Sequence, residues 1–305
     1  MTKPAATTVP ADDGPGRQPR SRFPLLRLLA GTICISFSPV FIKLAAVPPD
    51  VAGFYRMLFA GLSLLVLLLL RGKRLRIGGK AALFLAAGGL SLAIDLMCWH
   101  RSIHLIGPGL STLLANFQVF FTPLFAWLLF RQKVNRLFLL AVILAVGGLS
   151  LITGVDWPAL AAGVRSGLLL AITAAVFYSG YLLLLKKGMD EPAASGLTAM
   201  LVVSASSTVL LGGVCLASGA SLAIPDLPSW LALLGVGVLS TTIGWSLIST
   251  AMREIPVTLA GLFLLLQPAL VFAWDLLLFQ RPTQLHEWGG IALILVAIYL
   301  GSWRR

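Results

Sequence analysis

Hydrophobic residues fill long blocks of this chain, and polar or charged residues separate the blocks at short intervals. A helix needs roughly 20 apolar residues to cross the hydrocarbon core of a bilayer. Ten blocks approach that length, so the pattern predicts ten membrane-spanning helices joined by short loops. The predicted spans are residues 24–45, 50–70, 81–103, 108–130, 137–154, 165–186, 196–217, 229–251, 257–279 and 286–303.

The start of the chain lacks this pattern and is rich in Pro, Ala, Thr, Gly and Arg. Such a composition predicts a disordered tail over residues 1–23. The apolar block that follows is long, contains Pro39 and is followed at once by another span. We therefore interpret it as a retained first helix rather than a cleaved signal peptide.

The ten spans also divide into two similar sets of five. Sliding residues 104–152 over 253–301 gives nine ungapped matches, among them Gln118/Gln267. In both copies a helix-end break precedes a span with a mid-helix glutamine, then a basic turn and a Gly-Gly-containing span. Because five is odd, the second copy starts on the opposite side of the membrane. We predict an all-α membrane protein of two inverted five-helix repeats, residues 24–155 and 163–303.

Composition agrees with lipid as the main solvent of the chain. Hydrophobic residues make up 58% and charged residues 11%, whereas a globular protein has about 25% charged residues. No polar segment is long enough for a separate soluble catalytic domain. The net charge of +12 sits in clusters between apolar runs, so we expect no nucleic-acid partner.

The basic clusters predict how the chain is oriented. With a cytoplasmic N-terminus, the segments predicted outside hold little more than Arg101, Arg165 and Arg281. This asymmetry predicts that both termini are cytoplasmic and that the protein lies in the cell's inner membrane. The segments predicted inside hold Lys3, Arg17, Arg20, Arg22, Arg71, Lys73, Arg74, Arg76, Lys80, Arg131, Lys133, Arg136, Lys186, Lys187, Arg253, Arg304 and Arg305.

Two charged residues are predicted deep in the membrane. Arg56 in the second span and Asp95 in the third lie at similar distances from the outer face. A charge at mid-membrane costs roughly 2.5–3.5 kcal/mol on insertion scales, so we expect the two to meet. Two interpretations remain open: a structural ion pair between helices, or a site for a substrate carboxylate or a proton.

The stretch Ala251–Pro282 carries further polar groups through an apolar run. Gln267, followed by Pro268, is predicted near mid-membrane, facing Asn116 and Gln118 of the fourth span. These amides either line a cavity or bond a neighbouring helix. Asp275 is predicted near the outer mouth, where it could serve a substrate ammonium group, a coupling proton or a gate, or could instead pair with Arg281.

Aromatic residues and prolines complete the candidate site. Trp99, Tyr178, Tyr181 and Trp245 could wall a substrate cavity, although packing and interfacial roles are commoner for aromatic residues. Ser38 is a further candidate, at the polar, proline-containing end of span one. Pro39, Pro123 and Pro268 are candidate kinks, because proline removes a backbone donor.

The sequence offers no catalytic motif. His100 and His104 have i,i+4 spacing, but Arg101 stands where a metalloprotease HExxH motif has glutamate. We interpret the two histidines as part of an outer-surface helix end. GxSxG and Gly-rich phosphate-loop motifs are also missing from the sequence, so we predict no enzyme, no cofactor and no metal.

The residues Ser36–Lys43, Phe54–Leu58 and Arg253-x-Ile255-Pro256 leading to Gln267-Pro268, together with the ten short spans, resemble the EamA family of the drug/metabolite transporter superfamily. The resemblance implies a basket of ten helices around a central cavity, with export of small metabolites such as amino acids. Alternatives are a carrier of lipid-linked sugars or nucleotide sugars, and a non-transporting receptor or scaffold. We expect a small-molecule substrate, the lipid bilayer as surroundings, and a monomer or weak homodimer.

Overall fold

The computed structural model describes residues 23–72, 77–130, 136–153, 160–191, 195–251 and 257–302, apart from the side chains of residues 129, 130, 153, 249, 257–265, 301 and 302. The predicted tail before Phe23 and the charged break Arg253–Pro256 lie outside these ranges. The described residues form helices and no strand. The helices are α1 (Phe23–Ser36), α2 (Ser38–Leu44), α3 (Pro49–Leu70), α4 (Gly79–Ile106), α5 (Pro108–Ala115), α6 (Gln118–Phe130), α7 (Arg136–Thr153), α8 (Ala162–Asp190), α9 (Gly196–Ala217), α10 (Leu227–Leu234), π1 (Gly235–Gly244), α11 (Trp245–Ala251), α12 (Val257–Phe279) and α13 (Leu285–Ser302).

Within these ranges, seven helical segments are long and apolar enough to cross a membrane. Three shorter apolar helices, Arg136–Ile152, Leu266–Phe279 and Leu285–Leu300, lie where the sequence places the other spans. The all-helical, multi-pass architecture is therefore confirmed. The full count of ten crossings and the orientation of the termini stay predictions.

Two spans are broken where the sequence places polar residues or proline. In span one, α1 ends at Ser36 and α2 starts at Ser38, with Pro39 in its first turn, where a missing N–H leaves no helical bond unmade. In span four, Asn116 and Phe117 separate α5 from α6. Phe117 N–H there bonds the carbonyl of Leu114, the tighter pattern typical of a helix end.

Most of the helix packing joins a span of the first half of the chain to a span of the second. The principal contacts are α4 with α8 and α9, α3 with α9 and π1, α1 with α11, π1 and α12, α5 with α8 and α12, α6 with α8, and α7 with α13. Glycines permit close crossings: a Cβ at Gly148 of α7 would lie 2.7 Å from the carbonyl oxygen of Gly290 of α13. The two backbones are thus in direct contact there.

Candidate functional site

Arg56 is the centre of a cluster of side chains from four helical segments. Its Nε donates a hydrogen bond to Thr241 Oγ1 of π1 (3.2 Å), and its Nη1 lies 3.5 Å from His100 Nε2 of α4. The guanidinium carbon lies 5.4 Å from the centroid of the Trp99 ring, within range of a cation–π interaction. The helix α3 thus presents a cation to partners from both halves of the chain.

Asp95 lies near Arg56 on α4, one turn before Trp99. Its carboxylate is 5% exposed and interacts electrostatically with Arg56 and Tyr178. The ion pairs found among the described residues do not include Arg56 with Asp95. The two residues are therefore neighbours, as predicted, but they do not form a direct ion pair.

The tyrosines of α8 close this neighbourhood from the second half of the chain. The Tyr178 and Tyr181 rings are 5.3 Å apart in a T-shaped arrangement. Tyr181 is buried, and its hydroxyl donates to the sulfur of Met200 at 3.8 Å. Of the four predicted wall aromatics, Trp99, Tyr178 and Tyr181 belong to the cluster, whereas Trp245 is 41% exposed.

Sequence reasoning missed two members of the cluster. His100, which we expected at a surface helix end, is 0% exposed and contacts Arg56. Thr241 had no sequence signal of its own, because it follows the small-residue run of span eight. A charge predicted in mid-membrane needs polar partners. A search for a polar residue at the depth of Arg56 could therefore have led to His100.

The helix π1 explains how Thr241 reaches Arg56. The Thr241 and Thr242 hydroxyls donate to the carbonyls five residues earlier, at Val236 and Gly237. At Gly237 a Cβ would lie 2.6 Å from Phe59 Cβ and 3.1 Å from the carbonyl oxygen of Arg56. Runs of π-helix are rare and frequently mark functional sites. Here the wider helix brings its backbone against α3 beside the cation.

The predicted polar residues of spans one, four and nine lie on other helices than the Arg56 cluster. Asn116 donates its amide N–H to the carbonyl of Thr112 in its own helix (2.8 Å). The backbone carbonyl of Gln118 accepts from Ser179 Oγ (3.3 Å), and the Gln118 side-chain oxygen has no partner among the described residues. The same is true of Ser38 Oγ, which is buried. Gln267 is half-buried in α12.

Asp275 ties α12 to the start of α5. Its Oδ2 accepts the backbone N–H of Gly109 at 2.9 Å, and Arg281 Nη1 lies 3.9 Å away. Gly107 has φ +84°, and a Cβ there would lie 2.8 Å from Asp275 Oδ2, so glycine is required twice over. The pairing with Arg281 that the sequence left open is present, and a role in substrate binding stays a prediction.

Two other hydrogen bonds join the halves of the chain at this same end of the helices. Ser229 Oγ accepts the backbone N–H of Ala46 (3.0 Å), and the Tyr55 hydroxyl donates to the carbonyl of Leu222 (2.7 Å). Together with the Asp275–Gly109 bond they form what we call the bridged end. Arg56 directly follows Tyr55 in α3, so its cluster lies next to the bridged end.

The described residues contain no group of three or more His, Cys, Asp or Glu side chains that could hold a metal ion. The chemistry of the cluster is instead that of recognition. It offers a guanidinium, a carboxylate, tyrosine hydroxyls and an indole face among apolar helices; Asp95, Trp99 and Tyr181 are buried, and Arg56 and Tyr178 are half-buried. Such a set can bind a small solute with charged ends.

Comparison with known proteins agrees with a solute-binding, multi-pass membrane protein. The chain is a membrane transporter by class, because one family description matches both of its halves. The chain belongs to the EamA-like transporter family, whose pattern matches residues 22–154 and again 165–303. The resemblance noted from the sequence is thereby confirmed, as are its two repeats.

One solved crystal structure, described simply as that of a protein, has the same fold. The TM-score is 0.63 at 17% sequence identity, with 91% of this chain and 95% of that chain covered. No curated protein matches the chain.

Proposed function

We propose that this transporter moves small metabolites such as amino acids out of the cell, by alternating access across the cytoplasmic membrane. The observation that carries the proposal is that the half-buried Arg56 and the buried Asp95 are neighbours without a direct ion pair. Charges held in this way inside a membrane protein usually mark a substrate or ion pathway. An amino acid supplies a carboxylate for Arg56 and an ammonium group for Asp95.

The pairing of the helices supports an inverted repeat and hence alternating access. Numbering the spans one to ten, the principal contacts between the halves are three–six, three–seven, two–seven, two–eight, one–eight, one–nine, four–six, four–nine and five–ten. Exchanging each span with the one five positions away turns three–six into eight–one, three–seven into eight–two and one–nine into six–four, and it leaves the other three contacts unchanged. A pseudo-two-fold axis gives this pattern. Two related halves of this kind can rock about a central site.

The composition of the cluster favours a small zwitterion over the two alternatives. A nucleotide sugar or lipid-linked sugar carries phosphates, which need several cations, and the described cluster supplies one guanidinium. A receptor or scaffold needs no pair of neighbouring, opposite charges inside its helix bundle. The family membership further supports transport.

The test is transport by the purified protein in proteoliposomes. Labelled amino acids are offered as a panel, with and without a pH gradient, beside vesicles that contain an active control transporter. We expect movement of at least one amino acid and competition by its unlabelled form. Movement of none, with the control active, overturns the proposal. Movement of a nucleotide sugar alone selects the alternative.

A further inference from the structure

His100 lies between two groups whose chemistry fixes the position of its proton. Its Nδ1 is 3.2 Å from the carbonyl oxygen of Pro49, and its Nε2 is 3.5 Å from Arg56 Nη1. A carbonyl can only accept a hydrogen bond, and a guanidinium can only donate. The partners therefore assign the neutral form with the proton on Nδ1 and the lone pair of Nε2 turned toward Arg56.

The imidazole is held in place by the face of α3. Pro49, Gly53 and Arg56 recur at the four- and three-residue spacing of one helix face. A Cβ at Gly53 would lie 3.3 Å from His100 Nδ1 and 3.5 Å from its Cε1. The missing side chain of Gly53 thus admits the ring, and the ring is 0% exposed. Rotation of the ring would break the bond to Pro49.

The guanidinium of Arg56 is held from two directions. His100 contacts Nη1, Thr241 accepts from Nε, and Trp99 lies within cation–π range of the group. A guanidinium has five N–H donors in a rigid, planar arrangement. The described residues use two of them, so the others remain for a ligand. A carboxylate can accept two parallel hydrogen bonds from such a group.

We propose that His100 is a positioning residue for Arg56, which it orients so that the free guanidinium donors bind the carboxylate of the substrate. This inference rests on the transport function proposed above and names the group of the substrate that the site selects. It predicts that His100 lowers the KM for a substrate with a carboxylate and does not lower it for the matching carboxamide. His100 itself does not touch the substrate.

Two substitutions separate the two ends of the imidazole. His100→Gln places an amide near the position of Nε2 and keeps an acceptor for Arg56. His100→Asn places its amide near Nδ1 and keeps the bond to Pro49 but loses Arg56. We expect His100→Asn to raise the KM of the best transported amino acid about tenfold, the loss of about 1.4 kcal/mol. His100→Gln should raise it less, and neither should change the KM of the matching carboxamide.

The matched controls are His104→Asn and His104→Gln. His104 is exposed one turn further along α4, so both should transport like the unmodified protein. Arg56→Lys supplies a double-mutant cycle: if His100 acts through Arg56, adding His100→Asn to Arg56→Lys costs less than it does alone. Equal effects on the acid and its carboxamide, or additive effects in the cycle, overturn the proposal.

A second measurement does not depend on transport. The chain has three histidines, so ¹⁵N-histidine NMR of the purified protein in detergent can be assigned with the His104 variants and His286→Gln. We expect a protonated Nδ1 and an unprotonated Nε2 at His100 near neutral pH. A proton on Nε2, or on both nitrogens, overturns the positioning role. Failure of the unmodified protein to transport, with this NMR result in place, counts against the transport function instead.

Discussion

The contribution of the Arg56 charge to transport can be measured by comparing Arg56→Ala, which removes the charge, with Arg56→Lys, which keeps it. Arg56→Ala removes the cation and leaves Thr241, His100 and Asp95 without their partner. We expect transport to fall about 30-fold or more, the equivalent of losing about 2 kcal/mol or more from a buried charged contact. Transport by Arg56→Lys should lie between that of the unmodified protein and that of Arg56→Ala, because lysine keeps the charge but makes fewer directed hydrogen bonds than arginine. Transport into proteoliposomes measures both.

Folding must be separated from function in this comparison. Size-exclusion chromatography and thermal unfolding in detergent should show that Arg56→Ala remains folded, because Arg56 and Asp95 do not form a direct ion pair. Loss of the folded protein in Arg56→Ala, with recovery in Arg56→Lys, would instead favour the structural interpretation of this charge.

Asp95 tests the other end of the proposed zwitterion. Asp95→Asn keeps the shape of the side chain and removes its negative charge. We expect weaker transport of amino acids, and a smaller loss for analogues that lack the ammonium group, because the carboxylate no longer compensates that charge. Competition assays with amino acids and their deaminated analogues measure the difference. Equal losses for both kinds of compound would count against the assignment.

At this scale the sequence was informative about charges and uninformative about neutral partners. Arg56, Asp95 and Trp99 are predictable because a charged group or an indole N–H inside an apolar span needs a polar partner. His100 and Thr241 are harder to predict, because they lie 44 and 185 residues from Arg56 along the chain, and one sequence does not show which helices meet. Asn116 and Gln267 stood out equally in the sequence, yet neither has a described contact with Arg56.

Among the helices, the crossing of α7 and α13 gives a sharp packing prediction. Gly290→Ala would put a Cβ 2.6 Å from the carbonyl oxygen of Gly148, whereas nothing lies within 4 Å of a Cβ at Gly289. We expect Gly290→Ala to destabilise the protein by about 1–3 kcal/mol, the usual cost of overpacking. Gly289→Ala is the matched control and should unfold at or above the original temperature, since alanine favours a helix. Thermal unfolding in detergent distinguishes them.

The helices themselves show which local signals suffice. Pro39 in its apolar setting indicated the break of span one, and the structure has that break at Phe37. The break of span four comes at Asn116, whereas Pro123 and Pro268 lie inside α6 and α12. The helix π1 was not predicted, because the composition of Gly235–Gly244 carries no signal that distinguishes a π-helix from an α-helix.

For the whole molecule, the predicted orientation can be measured with single cysteines. Cys34, Cys98 and Cys215 are first replaced by serine or alanine. Arg71→Cys, in the predicted inner turn after α3, should react with a membrane-impermeant maleimide only from the cytoplasmic side. Ser221→Cys, between α9 and α10, should react only from outside, because the bridged end is predicted to face outward. The reverse labelling of both positions would invert the predicted topology.

The bond between Asp275 and Gly109 has a consequence for the energy of the transport cycle. The repeat alignment places Ala126 where the second half has Asp275, so the opposite end of span four has a methyl group in place of a carboxylate. In the proposed inverted repeat, the two ends of the molecule therefore close with unequal strength. In an alternating-access cycle the empty carrier should rest with the bridged end shut and its binding site turned toward the cytoplasm, the side from which an exporter is loaded.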